Sequence, residues 1–148
     1  MTKILFLIDT LQTGGAEKSL LEITKRFKKY EPIFIHLFEG DGLKEQFQQE
    51  NIQTISLGLP ASFEVKKVAS HVIPIVREIQ PALIHSTLFH SDLVSRFLRK
   101  KYNFLTINSF VNNSYSKRRY EELDLKSKFK LLIIQQWDRV TSKNVDFF

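Results

Sequence analysis

Residues 3–20 read KILFLIDTLQTGGAEKSL, and this stretch decides the fold. Ile4 to Ile8 is a continuous apolar run, too short for a buried helix and of a length that suits a strand buried on both faces. Asp9 ends the run, and Gly14-Gly15 follow a polar loop. Beyond them Ala16, Leu20, Ile23 and Phe27 recur at steps of four, three and four, with Lys18, Lys25, Lys28 and Lys29 on the other faces. The pattern predicts an amphipathic helix with a cationic C-terminal turn, which suits its dipole.

The same alternation continues outward. Further short apolar runs span Ile33 to Phe38, Thr54 to Leu59, Leu83 to Phe89 and Phe104 to Phe110. Helical patterns lie between them, at Gly42 to Glu50, Glu64 to Gln80 and Ser91 to Lys101, and a long one follows from about Lys117 to Lys143. Pro74 is expected to kink or divide the helix that carries Val65, Val68, Ala69, Val72, Val76 and Ile79. In the long helix, Phe129, Leu132, Ile133, Trp137 and Val140 fall at helical spacing. Strand alternating with helix is the signature of an α/β domain, a Rossmann-like open parallel sheet with helices on both faces. Asn144 to Phe148 reads as the start of a sixth strand, and the expectation is that the chain is half of a longer protein, with a C-terminal edge strand as the alternative.

The 148 residues carry 22 Lys+Arg against 16 Asp+Glu, a net charge of +6, with 43% hydrophobic residues. That is the composition and length of one globular domain, and it excludes a disordered chain. Without cysteine, disulfides, thiol catalysis and Cys-ligated metal centres are excluded. No apolar run reaches the roughly 18 residues of a membrane span, and the first run is too short for a secretion signal. A cytoplasmic location is expected. Basic residues group at Lys25 to Lys29, Arg96 to Lys101, Lys117 to Arg119 and Lys126 to Lys130, mostly on helix ends and outer faces. A solvated surface is the plain reading. Peripheral contact with an anionic membrane surface also fits, whereas no aromatic–basic motif points to nucleic acid.

In open α/β sheets ligands bind beyond the carboxyl ends of the strands. The loop from Asp9 to Lys18 places Gly14 and Gly15 directly before a helix, where backbone can approach a ligand and free N–H groups favour an oxygen-rich or anionic group. It is neither a Walker A loop nor a Gly-x-Gly-x-x-Gly fingerprint. A tight structural turn and a ligand loop both fit. Glu39, some 20 residues on, occupies the place of a ribose-binding acid, though Glu39 and Asp41 read equally as solvated turn residues. The fourth and fifth strands end in His85-Ser86-Thr87-Leu88-Phe89-His90 and Asn108-Ser109-Phe110-Val111-Asn112. Neutral donors and acceptors of this kind grip hydroxyl-rich ligands. His85 fits a core histidine, His90 either a helix-start residue or a ligand contact, and Asn112 either a loop former or a contact. No Asp-x-Asp and no His-x-x-x-His appears, so no metal is expected.

The Thr13-Gly14-Gly15-Ala16-Glu17 loop after the first strand, with Pro81-Ala82-Leu83-Ile84-His85-Ser86-Thr87 and Asn108 to Asn112, resembles the N-terminal domain of family 4 retaining glycosyltransferases of the GT-B fold. The resemblance covers the whole chain. Ala82 stands where that family usually has Asp, Thr87 where it has a second His, and Asn108 where many members have a His, so no catalytic histidine is carried over to position 108. The resemblance implies a single N-terminal, acceptor-side domain over residues 1–148, with the donor-binding C-terminal domain absent from this chain. It implies sugar transfer from a nucleotide-sugar, a substrate rather than a cofactor, to a hydroxyl acceptor in cell-surface polysaccharide or glycolipid synthesis. Gly14 and Gly15 would face the donor phosphate or transferred sugar, and His90, Asn108, Ser109 and Asn112 the acceptor hydroxyls. An isolated Rossmann-like nucleotide-binding domain, or a non-catalytic interaction module, remains the alternative.

Overall fold

A computed structural model describes residues 1–109 and 115–148. Five parallel strands form one sheet in the order β3-β2-β1-β4-β5. They are β1 (Thr2–Ile8), β2 (Tyr30–Phe38), β3 (Gln53–Leu59), β4 (Leu83–Thr87) and β5 (Leu105–Ser109). The helices are α1 (Gly15–Thr24), α2 (Lys44–Gln49), α3 (Val65–Ile79), α4 (Phe89–Arg99), α5 (Lys117–Glu121) and α6 (Leu125–Thr141). The Rossmann-like α/β expectation therefore holds.

Period-two alternation along β1 explains the layers. Ile4, Phe6 and Ile8 point to one face and pack with Phe34, Leu20, Leu21 and Phe47 under α1 and α2. Leu5 and Leu7 point to the other and pack with Ile33, Ile35, Val72, Val76, Val94 and Leu98 under α3 and α4. Both faces are buried, so the strand needs no polar side. The Phe6 and Phe34 rings stack at 4.7 Å on the first face. Among the described residues no helix is long and apolar enough to cross a membrane.

Several elements differ from expectation for identifiable reasons. Helix α1 ends at Thr24, before the lysine cluster, so it has no basic residue in its last turn. Ile23 is exposed while Glu17, Leu21 and Thr24 are buried, so the packed stripe is rotated from the apolar one. Helix α3 runs unbroken through Pro74. Helix α4 starts at Phe89, so the fourth strand stops at Thr87 rather than Phe89.

The long terminal helix is two, because Asp124 caps a new start by accepting the Ser127 N–H at 3.2 Å. The apolar stripe read from its spacing is exposed: Phe129, Leu132, Ile133, Trp137 and Val140 are all solvent-accessible. Leu131 and Asp138, two turns apart on another face, hold α6 to the domain. At the C-terminus a 3₁₀ turn spans Ser142–Asn144, and only Phe147 pairs, in parallel, with Ile107 of β5. The beginning of a sixth strand is thus a single bridge, braced where Asp146 accepts the Thr106 N–H at 2.8 Å.

Candidate functional site

The strand order reverses between β1 and β4, which lie side by side while their connections run to opposite sides of the sheet. A crevice opens at such a point beyond the carboxyl ends of the strands. The segments that meet there are the glycine loop after β1 and the turn into α4.

Asp9 ties the two together. Its Oδ1 accepts the Ser91 N–H at 2.8 Å and the Ser91 hydroxyl at 2.6 Å, and its Oδ2 lies 2.9 Å from His90 Nδ1. The carboxylate so fills the N-terminus of α4, which has no side-chain cap of its own. The turn into α4 passes through Leu88 at φ 81°, a left-handed conformation that costs energy for a branched side chain. His90 is boxed by Phe38 at 5.1 Å and Phe63 at 4.9 Å, with a quarter of its side chain still open to solvent. Because an ionised Asp9 can only accept, a neutral His90 must carry its proton on Nδ1, leaving the Nε2 lone pair free.

The two glycines have different reasons. A Cβ on Gly14 would fall 2.2 Å from Glu17 Oε2, so Gly14 makes room for a buried glutamate. A Cβ on Gly15 would meet nothing within 4 Å, and neither glycine has a positive φ. Among the described residues nothing requires a glycine at position 15. The start of α1 has no side-chain cap, and the neighbouring Gly40, at φ 121°, packs its backbone against Gln12 to shape the loop.

Adjacent positions of β5 face opposite sides of the sheet. Ser109 shares a 2.5 Å hydrogen bond with His85 Nε2. Burial pushes the His85 pKa down, favouring its neutral form. Asn108 corrects the reading of it as a ligand contact. It is wholly buried, and its amide accepts from Arg96 Nε at 2.6 Å and donates to the Ser86 and Ser95 hydroxyls. Asn112 lies outside the described residues.

Arg96, expected on an outer face, is 1% exposed. Its Nη1 donates to Asp138 Oδ1 at 2.5 Å and to the Thr141 hydroxyl at 2.9 Å. Asp92, one turn before it, accepts from Ser86 Oγ at 2.7 Å. Burial pushes the Asp92 carboxyl up to about 7, against the Ser86 hydrogen bond and the Arg96 charge. Sequence reasoning missed this network; Asp92 and Arg96 at i,i+4, interleaved with Ser91 and Ser95, were the signal for it. The cap by Asp9 had no local signal, since its partner lies 82 residues away. Glu39 and Asp41 form no hydrogen bond or ion pair through their side chains among the described residues. Among those residues no group of three His, Asp or Glu is placed to hold a metal ion.

No family model matches the chain, and no curated protein does. Solved structures do. Anabaena Alr3699/HepE in complex with UDP superposes with a TM-score of 0.66 at 17% identity over 93% of this chain and 35% of that one. A glycosyltransferase from Rickettsia africae ESF-5 gives 0.60 at 19% identity, over 84% of this chain and 35% of that one. The C-terminal domain of the PF1911 hydrogenase from Pyrococcus furiosus gives 0.53 at 20% identity, over 75% of this chain and 92% of that one. This chain thus spans about a third of the first two. At these identities the likeness establishes the shared fold.

Proposed function

We propose that the chain is the acceptor-side domain of a GT-B glycosyltransferase, of the retaining family 4 type, moving a sugar from a nucleotide-sugar to a hydroxyl acceptor. The observation that carries this reading is Gly15: a glycine exposed at the sheet's switch point, with open space where a side chain would stand. Glycine there leaves the uncapped N–H groups of α1 open to a diphosphate or sugar oxygen. The corresponding end of α4 is already filled by Asp9, so an anionic group is directed to α1 instead. The fold likeness to the Rickettsia glycosyltransferase and to UDP-bound HepE supports the choice of ligand.

His90 then contacts the acceptor. With its Nδ1 proton held by Asp9, its Nε2 accepts a hydrogen bond from a sugar hydroxyl. The Phe63 and Phe38 rings exclude water from one side of that bond. Ser109, oriented by His85, contributes a second polar group from the next strand. A part in cell-surface polysaccharide or glycolipid synthesis, and a cytoplasmic place beside the membrane, belong to the same reading. The exposed apolar stripe of α6, flanked by Lys126, Lys128 and Lys130, supports peripheral contact with an anionic membrane.

The test is a ¹⁵N NMR titration of the chain with millimolar UDP-sugar. Shifts confined to the amides of Gly14, Gly15 and Ala16 are expected. The hydrogenase domain, which this chain nearly covers, shares the fold in a protein of another kind, and a second reading is a nucleotide-binding or interaction module. Shifts at these amides with a dinucleotide, and none with UDP-sugar, would select it.

A further inference from the structure

A second concave feature lies on the outer helical layer, on the α3–α4 side of the sheet. A cleft of about 490 Å³ runs between the start of α3, the middle of α4 and the end of α6. Its volume is in the about 300–1,000 Å³ range of small-molecule sites. Phe63, Leu93, Phe97 and Trp137 make its walls. Lys66, Lys67 and Lys100 stand among the lining residues, with Glu64 as the one acid.

Three facts separate this cleft from an ordinary gap between helices. Lys66 and Lys67 sit in the first turn of a 15-residue helix that has no acid in that turn, where cations work against the helix dipole. That placement costs local stability and concentrates positive potential at one end of the cleft. None of the three lysines has an ion-pair partner among the described residues. Finally, Arg96 lines the floor, and its buried Nη2 has no hydrogen-bond partner among the described residues. Asp138 neutralises Arg96 through Nη1, so the uncompensated charge belongs to the lysines.

Aromatic and aliphatic walls with unpaired ammonium groups at the mouth match one ligand chemistry. We infer that the cleft binds a single-chain anionic amphiphile, its apolar chain between Phe97 and Trp137 and its phosphate or carboxylate head against Lys66, Lys67 and Lys100. The inference does not rest on the transferase reading. The cleft residues do not include Gly14, Gly15 or His90, although Phe63 touches both the cleft and the His90 ring.

Trp137 is the chain's only tryptophan and is 43% exposed, so its emission reports the cleft directly. The chain is titrated, below the critical micelle concentration, with oleoyl lysophosphatidate, oleate, oleoyl lysophosphatidylcholine and inorganic phosphate, and separately with anionic vesicles of phosphatidylcholine and phosphatidylserine. A saturable blue shift with lysophosphatidate or oleate is expected, the tighter of the two identifying the head group. Lysophosphatidylcholine is expected to bind at least about tenfold more weakly, and phosphate to give no shift. Replacing Lys66, Lys67 and Lys100 together by glutamine, all exposed positions, is expected to weaken the anionic amphiphile about tenfold or more, with an unchanged circular dichroism spectrum. No shift with either anionic amphiphile overturns the inference, as does equal affinity for the phosphocholine head or for the glutamine variant. A shift produced only by anionic vesicles also overturns it, and assigns the surface to a bilayer instead.

Discussion

Ser91 gives Asp9 both its backbone N–H and its hydroxyl, across 82 residues of sequence. The first residue after β1 thereby closes the first turn of α4, and the crevice between the two elements is set by one carboxylate. A helix cap of this kind is worth about 0.5–2 kcal/mol when replaced by alanine. Asp9→Ala is therefore expected to lower the stability of the domain by about 1–2 kcal/mol in urea unfolding. It also frees His90 to take either tautomer. In the proposed reading, shifts of the His90 amide on acceptor titration are then expected to shrink by more than the stability loss explains. An Asp9→Ala domain as stable as the parent would show that the cap is not formed in solution.

Arg96 presents a different energy balance. Its guanidinium is buried against Asp138 and Asn108, and joins α4 to α6 and β5. Breaking a buried pair from one side leaves a charge without a partner, at a cost of about 3–5 kcal/mol. Asp138→Asn is expected near the low end, since the Asp138 side chain keeps 13% exposure and Asn108 still holds Arg96. Removing both charges, as Arg96→Met with Asp138→Leu, is expected to restore much of the loss. Chemical unfolding of Arg96→Met and Asp138→Leu, each alone and then together, gives the coupling. Additive losses would mean that the pair is not coupled.

The fold was legible because β1 and β2 are nearly continuous apolar runs, broken in β2 by His36, and buried parallel strands need little else. The helix boundaries were less so. Helix α4 begins earlier than its own residues signal because Asp9, remote in sequence, supplies its cap. Apolar periodicity in α6 reported an apolar stripe but not which way it faces. The docked face is chosen by Asp138 and its pairing with Arg96, two polar residues that hydrophobic spacing ignores. At the candidate site, Gly14, Gly15 and His90 were singled out because they stand just beyond strand ends, where an open α/β sheet takes its ligands. Asn108 misled because a polar residue at a strand end looks the same whether it faces a ligand or a buried arginine.

The two glycines separate packing from ligand contact. Gly14→Ala puts a methyl group where the Glu17 carboxylate now lies, so that the flexible carboxylate must move, and a stability loss at the low end of overpacking, about 1 kcal/mol, is expected. Gly15→Ala enters open space at a helical position with no positive φ. Its stability is expected to hold or rise by up to about 1 kcal/mol, because alanine restricts the unfolded chain. If a nucleotide-sugar approaches Gly15, Gly15→Val abolishes the NMR shifts with UDP-sugar and leaves the melting temperature near the parent's. Full retention of those shifts would remove Gly15 from the site.

Asp92 gives a pH signature. Its carboxyl is pushed from the ordinary 3.8 up to about 7, first by burial, with Asp138 and Asp9 adding repulsion and the Ser86 hydrogen bond and Arg96 opposing. A carboxyl raised in the folded state takes up a proton on folding between those two values. The stability it contributes is fully present below about pH 4, is lost as pH rises towards 7, and stays lost above. Asp92→Asn keeps an oxygen to accept the Ser86 hydroxyl at the position that is now 2.7 Å away, without a charge to bury. The variant is therefore expected to be more stable than the parent at pH 8, with the difference shrinking as pH falls to 4. Urea midpoints measured for both proteins across that range decide it. A parallel pair of curves would mean that the Asp92 carboxylate is compensated by Arg96 more fully than its burial implies, and that it stays ionised beneath the crevice at neutral pH.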